Sequence, residues 1–390
     1  MPHTLAQSLA VFTTVFAVAG MGYFVAALLA ARIFLAERCA PLAAFAPGVS
    51  ILKSLKGLDP GMIDAFRSHC HQGYTGQYEL LFGVASLSDP AVEAVRQLIA
   101  EFPQHSIRLI ECPQHLGTNG KVSTLVQLAP HAHFDYLIIN DSDITVSPRY
   151  LERVMACFDA AETVGLVTVL YRGRAHGTLP SRLEALGIAT DFQAGVLLSK
   201  WIEGGLHYGL GSTLAVSRKA LDKIGGLQVL VDHLADDYEL GARVDKTGYR
   251  VVLSAEVVET NIAPYGWQGF LHHQLRWART VRDARFWGYF GLIFTHGLAW
   301  ALFNVLASGA TPLSLWLLAS SFILRFALAL TVGVAVLGDR QVPAGLWLLP
   351  LRDLVAMGVW VAGFAGNIIV WRGEKFALKS GKLEKVARKD

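Results

Sequence analysis

The sequence predicts an α/β protein in which a mostly parallel β-sheet, with helices on both faces, is flanked by membrane-spanning helices at both ends of the chain. Strand-like and helix-like segments alternate through residues 48–264, which we expect to form one globular domain. Hydrophobic residues make up 53% of the 390 residues and charged residues only 17%, which is too little charge for a soluble protein of this length. The hydrophobic excess lies at the two ends, so we expect a globular middle between membrane segments.

The amino-terminal apolar segment, residues 9–35, is long enough to cross a bilayer as a membrane anchor. Arg32 and Arg38 lie at its end and no Lys or Arg precedes it, so the positive-inside tendency places the amino terminus outside and the globular domain in the cytoplasm. A cleaved signal peptide is the alternative, but it would have basic residues before a shorter apolar core. We therefore expect an integral membrane protein.

The carboxy-terminal region, residues 289–371, contains three apolar segments that are each long enough to span a bilayer. They comprise residues 289–307, 313–337 and 346–371. Residues 265–288 combine aromatic residues with an arginine series, which is typical of a helix at the membrane surface, and a basic tail covers residues 372–390. Four spans would place this basic tail outside, which conflicts with the positive-inside tendency. One carboxy-terminal segment could therefore be re-entrant or interfacial, and the sequence leaves open which.

Three charged residues lie within these apolar segments, where a charge is unfavourable unless it has a partner or lies near the surface. They are Arg325, Arg352 and Asp353. We expect Arg325 to pair with Asp353.

The formal net charge of +3 is too small to favour nucleic acid as a partner. The four cysteines are scattered, without the paired spacing of a zinc site or a redox motif, and we expect reduced thiols.

Polar residues follow four successive predicted strands of the middle region. They are Lys56, Asp89, Lys121, Asp141 and Asp143. Ligands of parallel sheets bind beyond the carboxyl ends of the strands, so these side chains are candidates for one site. Two carboxylates on alternate residues can bind a hard divalent cation, and a lysine before a helix can meet phosphate together with free backbone N–H groups. A turn rich in Asp, Asn and Ser also occurs without any ligand, so each motif alone is weak.

A second acidic pair, Asp236 and Asp237, opens a predicted helix. An acidic residue at a helix start can cap exposed N–H groups and complement the helix dipole, which explains one of the two. The other can face the cleft as a general base.

Taken in order, six motifs resemble those of the ceramide glucosyltransferase family, glycosyltransferase family 21, and within it the bacterial hopanoid-biosynthesis-associated glycosyltransferases. The motifs are KSLKGLDP from Lys53 to Pro60, Asp89 with Pro90, LGTNGK, NDSDI, ADDY and QLRW from Gln274 to Trp277. The resemblance covers nearly the whole chain. It implies a GT-A type catalytic fold and an inverting hexosyltransferase of the bacterial inner membrane. Such an enzyme would use Mg²⁺ or Mn²⁺ to move glucose or N-acetylglucosamine from a UDP-sugar to the hydroxyl of a ceramide-like or hopanoid lipid.

The resemblance also implies roles for individual residues. Asp237 is the implied catalytic base, and Asp141 with Asp143 the implied metal ligands. The implied donor-binding residues are Lys53, Lys56, Asp89, Lys121, Asp141, Arg276 and Trp277. The chain departs from the family pattern at His273, where the final motif begins with Gln or Arg, and at Ser54, where the family has Pro.

Three other functions stay open. A polyprenyl-phosphate sugar transferase would share the cytoplasmic domain but accept a lipid phosphate. A processive polysaccharide synthase would share the metal and base motifs but need more spans for an export pore. A non-catalytic membrane protein would bind a nucleotide sugar without turnover.

Overall fold

The computed structural model describes residues 2–38, 45–158, 162–371 and 374–386, and the chain divides into two compact units. The sheet unit contains residues 39–176, 203–263 and 381–390, and the apolar unit contains residues 1–38, 177–202 and 264–380. The sequence predicts residues 177–202 within the sheet domain, but they cluster with the apolar unit.

The sheet unit is built on a seven-stranded sheet. Its strands are β1 Val49–Leu55, β2 Tyr78–Val84, β3 Ser106–Glu111, β4 Tyr136–Ile139, β5 Val164–Arg174, β6 Leu214–Ser217 and β7 Arg250–Asn261. The strand order is β3-β2-β1-β4-β6-β5-β7, and only β6 runs antiparallel to its neighbours. The predicted mostly parallel sheet is confirmed.

The helices of the sheet unit separate the strands in the predicted alternation. Helices are numbered along the whole chain, so α1, α6 and α7 belong to the apolar unit described below. The helices of the sheet unit are α2 Met62–Cys70, α3 Ala91–Glu101, α4 Gly120–Leu128, α5 Tyr150–Met155, α8 Arg218–Lys223 and α9 Asp236–Lys246. The core lies between the sheet and these helices, and Phe66 of α2 packs on Phe82 of β2 with ring centroids 4.7 Å apart. Strand β4 is central, with Leu137, Ile138 and Ile139 buried as its apolar sequence predicts. This rigid strand fixes the position of the polar loop that follows it.

The apolar unit contains the long hydrophobic helices. Its helices are α1 Pro2–Glu37, α6 Leu179–Gly187, α7 Gln193–Ile202, α10 Trp267–Ala284, α11 Phe286–Gly291, α12 Gly297–Ser308, α13 Pro312–Ala329, α14 Val342–Gly345 and α15 Leu349–Gly363. Within the described residues, three helical segments are long and apolar enough to cross a membrane, namely Leu5–Glu37, Pro312–Val336 and Val342–Gly363. A fourth candidate, Phe286–Thr295 with Gly297–Ser308, is bent by 56° and is either a broken span or a re-entrant loop.

The last apolar segment is shorter as a helix than the sequence predicts. Helix α15 ends at Gly363, and Ile368–Trp371 forms strand β8 instead, paired antiparallel with β9, Glu374–Lys379. Consecutive β-branched side chains at Ile368, Ile369 and Val370 favour an extended backbone. The predicted basic tail thus contains strand β9 and, further on, β10, Lys382–Lys385.

Helix α1 packs closely on α12. A Cβ added to Gly20 would lie 2.2 Å from the Cα of Gly297, so the two backbones approach as far as glycine allows. The amide Nδ2 of Asn304 donates to Thr13 Oγ1 at 2.9 Å and to Thr14 Oγ1 at 2.8 Å. Small residues and polar side chains therefore join these two helices.

The predicted pairing of Arg325 with Asp353 is confirmed. The guanidinium of Arg325, only 1% exposed, donates from Nε to Asp353 Oδ2 and from Nη2 to Asp353 Oδ1, both at 2.9 Å. This bidentate geometry satisfies both carboxylate oxygens inside an apolar environment.

Asp353→Asn is expected to lower the free energy of unfolding by up to about 3 kcal/mol, because it removes the bidentate carboxylate partner of a buried guanidinium and leaves Asp191 as the remaining carboxylate partner. Thermal denaturation of the purified protein in detergent measures this loss, with Ser320→Ala in helix α13 as the control. An unchanged denaturation temperature for Asp353→Asn would show that the pair does not stabilise the fold.

Candidate active site

The loop after β4 holds Asp141, whose side chain is 45% exposed and lies 2.8 Å from the amine of Lys121 through its Oδ1 atom. Lys121 reaches this carboxylate from the first turn of α4. Asn119 caps that helix, its Oδ1 atom accepting a hydrogen bond from the Val122 N–H at 3.2 Å. The structure thus brings together two of the residues that the sequence predicts at the strand ends.

The amine of Lys121 also lies 3.4 Å from Asp236 Oδ2, at the first residue of α9. Although burial lowers the pKa of Lys121, the carboxylates of Asp141 and Asp236 outweigh this effect and raise it above its ordinary value. Lys121 is therefore a fixed positive charge between two carboxylates, one in the loop after β4 and one at the start of α9. Asp236, which the sequence explains only as a cap, forms part of this group.

Asp237 follows Asp236 in the first turn of α9. Its Oδ1 atom accepts a hydrogen bond from the Tyr238 N–H at 2.8 Å, and burial, together with the charge of Asp236, raises its pKa to about 6. A carboxylate with such a pKa is ionised at neutral pH but accepts a proton more readily than an ordinary aspartate. These are the properties of a general base.

A glycine lies against the Asp237 carboxylate. A Cβ added to Gly211 would lie 2.9 Å from Asp237 Oδ2, closer than ordinary packing allows. The residue at position 211 therefore has to be small for the carboxylate to keep this position.

Gly211→Ala is expected to lower kcat by up to about 100-fold, because it displaces the Asp237 carboxylate from its position. The matched control is Gly205→Ala, where an added Cβ has nothing within 4 Å. Steady-state kinetics of both variants, with thermal denaturation as a folding check, make the comparison. Equal rates in the two variants would argue against a catalytic role for the Asp237 carboxylate.

Asp143 is held by the end of β7. Its Oδ2 atom accepts hydrogen bonds from Thr260 Oγ1 at 2.5 Å and from the Asn261 N–H at 3.1 Å. Burial and the nearby charge of Asp141 raise its pKa to about 6. The sequence predicts Asp143 as a ligand but gives no signal for its two partners, which are more than a hundred residues away.

Lys53 lies in strand β1 and is fully buried. Its amine donates to the main-chain oxygen of Asp141 at 3.0 Å. Burial lowers the pKa of Lys53 to about 7, against the opposing effect of Asp143 and Asp141. In this arrangement Lys53 supports the backbone of the loop after β4.

Asp89, a predicted donor-binding residue, shapes the loop after β1. Its carboxylate accepts hydrogen bonds from the Gly57 N–H at 2.9 Å and 3.1 Å and from the Ala91 N–H, at the start of α3, at 2.9 Å. Lys56, next to Gly57, is exposed. Asp89 therefore ties the loop that carries Lys56 to helix α3.

Two further side chains of the loop after β4, Ser142 and Asn140, make hydrogen bonds that the sequence does not predict. Ser142 Oγ donates to Asp59 Oδ2 at 2.5 Å. The buried Asn140 donates from Nδ2 to the Ser212 carbonyl at 2.8 Å and to Thr213 Oγ1 at 3.0 Å. Asp59 and Asn140 lie inside motifs that the sequence identifies, but their spacing does not indicate these contacts.

Arg276 and Trp277 lie in helix α10 of the apolar unit, as does His273. The ring of Trp277 has its centroid 4.9 Å from that of His273. His273 Nδ1 in turn lies 2.9 Å from the buried carboxylate of Glu184 in α6, which also accepts from Gln274 Nε2 at 3.2 Å. Where the family motif has Gln or Arg, this chain thus has a histidine that contacts an internal carboxylate.

Among the described residues, no group of three or more His, Cys, Asp or Glu side chains is arranged to hold a metal ion. The carboxylate pair Asp141 and Asp143 is the predicted metal site. A cation held there would need its remaining ligands from water and from substrate oxygens, the usual arrangement for Mg²⁺.

A mostly parallel sheet with an Asp-rich loop at the carboxyl end of a central strand is the arrangement expected of a GT-A type glycosyltransferase fold. The structure of the mannosyltransferase PcManGT from Pyrobaculum calidifontis, in complex with GDP-Man and Mn²⁺, shares this fold. It superimposes with a TM-score of 0.52 at 17% sequence identity, over 92% of this chain and 99% of that chain. The predicted GT-A fold is confirmed.

The chain belongs to glycosyl transferase family 21, whose sequence model matches residues 12–384. It is 23% identical over 350 residues to ceramide glucosyltransferase 1 of Caenorhabditis elegans, covering 86% of this chain and 72% of that protein. It is 25% identical over 233 residues to ceramide glucosyltransferase 3 of the same organism, covering 60% of this chain and half of that protein. The predicted family is confirmed, and the protein is a glycosyltransferase.

Proposed function

We propose that this protein moves a hexose, glucose or N-acetylglucosamine, from a UDP-sugar to the hydroxyl of a ceramide-like or hopanoid membrane lipid. The observation that carries the proposal is Asp237, a partly buried carboxylate with a raised pKa that lies beside the Asp236–Lys121–Asp141 group. The ceramide glucosyltransferases of C. elegans, similar over much of this chain, support a lipid acceptor.

The reaction is a single inverting displacement. Asp237 takes the proton of the lipid hydroxyl as that oxygen attacks the anomeric carbon, and the bond from this carbon to the nucleoside diphosphate breaks. The electron pair leaves with the diphosphate, so no enzyme nucleophile is needed. The raised pKa of Asp237 brings the base closer to the operating pH, where general-base catalysis is most effective.

Negative charge on the leaving diphosphate needs positive groups near it. Lys121 is held between Asp141 and Asp236 and can exchange one of these carboxylates for a phosphate oxygen. The family resemblance implies that Arg276 of the QLRW motif would supply a second cation. Phosphate groups bind well to such fixed cations.

The residues present fit a divalent cation, Mg²⁺ or Mn²⁺, at Asp141 and Asp143. Burial, and after it the charge of Asp141, raise the pKa of Asp143, so a nearby cation would stabilise its ionised form. When bound, the cation would neutralise the developing charge of the diphosphate. The complex of PcManGT with GDP-Man and Mn²⁺ supports this choice of metal.

A membrane location suits the reaction, because the acceptor lies in a bilayer and the donor is soluble. The apolar helices anchor the protein, and we propose that the sheet unit lies in the cytoplasm at the bacterial inner membrane, where nucleotide sugars are available. Helix α10, with Trp267 46% exposed near its start, would lie at the membrane surface.

The rate of transfer, as kcat/KM, is expected to fall as the pH drops below about 6. Asp237 and Asp143 both have pKa values raised to about 6, and both must be ionised for activity. Rate measurements at two cation concentrations separate the two groups. Saturating Mn²⁺ favours ionised Asp143, so the fall in kcat/KM caused by protonation of Asp143 moves to lower pH. The fall caused by protonation of Asp237 stays at the same pH. A rate that is constant from pH 5 to pH 8 would contradict both assignments.

Incubation of the purified protein with radiolabelled nucleotide sugars and membrane lipid extracts tests the proposed function. We expect one labelled lipid that survives mild acid, as a glycoside of an alcohol does. An acid-labile lipid phosphate sugar would identify a polyprenyl-phosphate transferase instead, and a labelled polymer would identify a polysaccharide synthase. Binding of the nucleotide sugar without any labelled product would identify a non-catalytic protein.

A further inference from the structure

The apolar unit contains a buried group of charged side chains between its membrane-type helices. Arg325 comes from α13, and Arg352 and Asp353 from α15. Asp191 comes from a five-residue π-helix, Ile188–Phe192, between α6 and α7. We refer to these four side chains as the buried charge cluster. A π-helical turn is uncommon and is often found at functional sites.

One half of the cluster is fully paired. Arg325 holds both oxygens of Asp353, as described above, and its Nη2 atom also donates to Asp191 Oδ1 at 2.5 Å. Its Nη1 atom donates to the Thr190 carbonyl at 3.2 Å. These contacts join the π-helix to α13 and α15.

The other half of the cluster contains buried polar atoms without a hydrogen-bond partner among the described residues. Arg352 is 8% exposed, and its Nε and Nη1 atoms have no hydrogen-bond partner among the described residues. Its Nη2 atom lies 3.4 Å from Asp191 Oδ2, an oxygen that likewise accepts no hydrogen bond there. The backbone of Gly187 makes room for this guanidinium, since an added Cβ would lie 2.2 Å from Arg352 Nε.

His296 is a third side chain with a buried polar atom that lacks a hydrogen-bond partner among the described residues. It lies at the break of the bent helix pair, where the axis turns by 56°, and it is 9% exposed. Its Nε2 atom has no hydrogen-bond partner within the described part of the chain, and its ring centroid lies 5.8 Å from that of Trp360 in α15, the helix that carries Arg352. Breaks in membrane-type helices, with polar groups beside them, are common at binding sites.

Buried polar atoms without partners are unfavourable, and ionisable residues between membrane helices are expected to be functional. We propose that Arg352, Asp191 and His296 bind the polar headgroup of an uncharged lipid that carries hydroxyl or amide groups. Such a headgroup offers an acceptor to Arg352 and donors to Asp191 and His296. Asp191, whose side chain is 35% exposed, would form the entrance.

The charge of the cluster selects against a lipid phosphate. Two arginines and two aspartates sum to zero, so a phosphate would bring negative charge that no group in the cluster balances. A neutral headgroup adds no charge to the cluster. The assignment of this lipid as the acceptor rests on the proposed function. A bilayer lipid that is not a substrate could offer the same headgroup chemistry. The competition experiment below separates the acceptor from such a lipid.

The kinetic test uses Asp191→Asn and His296→Phe in mixed micelles with varied acceptor. We expect each to raise the KM for the acceptor about 10- to 100-fold, with the KM for the donor unchanged, because each removes hydrogen bonds to the headgroup. Asp191 also contacts Arg325, so Asp191→Asn can lose stability, whereas His296 Nε2 has no partner to lose. Ser320→Ala in α13, outside the cluster, is the control, expected to leave both the denaturation temperature and the KM for the acceptor unchanged. An unchanged KM for the acceptor in His296→Phe would overturn the proposal.

A binding test does not depend on turnover. A lipid with a photoreactive group beside a neutral hydroxyl headgroup is expected to label peptides containing Asp191, His296 or Arg352, and less so in His296→Phe. Competition by unlabelled ceramide or hopanoid alcohol, but not by phosphatidylethanolamine, would identify the acceptor, and equal competition by both would overturn that assignment. If no sugar is transferred but these peptides are labelled, the proposed function fails and the lipid site stands. If sugar is transferred and none of these peptides is labelled, the lipid site fails alone.

Discussion

Asp237→Asn is expected to lower the rate of sugar transfer by about 10²–10⁴-fold, the usual contribution of a general base, while nucleotide-sugar binding stays largely intact. The asparagine keeps the shape of the side chain and can still accept the hydrogen bond from the Tyr238 N–H, so the start of α9 should be preserved. What is lost is a group that can take the proton of the attacking hydroxyl. Single-turnover rates and calorimetric binding of the nucleotide sugar measure the two effects separately.

The matched control is Asp245→Asn in the same helix, where the carboxylate lies 3.1 Å from His207 Nδ1 instead of beside Lys121. This variant should turn over at the rate of the unchanged protein. Near-normal turnover in Asp237→Asn, or an equal loss in both variants, would refute the assignment of the base.

Asp141→Asn is expected to abolish the dependence of donor binding on a divalent cation and to lower kcat/KM by about 10²–10³-fold. The substitution removes one of two predicted metal-binding carboxylates and the 2.8 Å ion pair that positions Lys121. Lys121 keeps its second partner, Asp236, so the site should remain folded. Calorimetric binding of UDP with Mn²⁺ and with a chelator provides the measurement.

Asp135→Asn is the control for this variant, because Asp135 immediately precedes β4, at its opposite end, with its side chain 86% exposed. In the unchanged protein and in this control, the chelator should weaken UDP binding, whereas in Asp141→Asn it should have no effect. Cation-stimulated binding at the normal level in Asp141→Asn would contradict the proposed metal site.

The fold was largely predictable because its signals are local. The apolar run before Asp141 predicts a buried strand, and the observed β4 is buried at each of its last three residues. The alternation of strands and helices predicts a mostly parallel sheet, which then brings strand-end residues such as Lys121 and Asp141 to one edge.

The parts that the sequence did not predict depend on contacts between distant residues. Thr260 and Asn261 hold Asp143, and Asp59 accepts from Ser142, although no local pattern links these positions. The change at His273 was visible in the sequence, but its partner, Glu184, was not. Hydropathy identifies an apolar segment but does not locate the end of a helix, so the sequence predicts a span to residue 371 although α15 ends at Gly363.

The most direct test of the proposed mechanism is the anomeric configuration of the lipid product. An NMR coupling constant at the anomeric proton of the purified glycolipid, made from an α-linked UDP-sugar, measures it. Direct attack by the lipid hydroxyl, with Asp237 as base, predicts a β-linked product that forms with the unchanged protein and is greatly reduced with Asp237→Asn. An α-linked product, or release of UDP without any glycolipid, would contradict it.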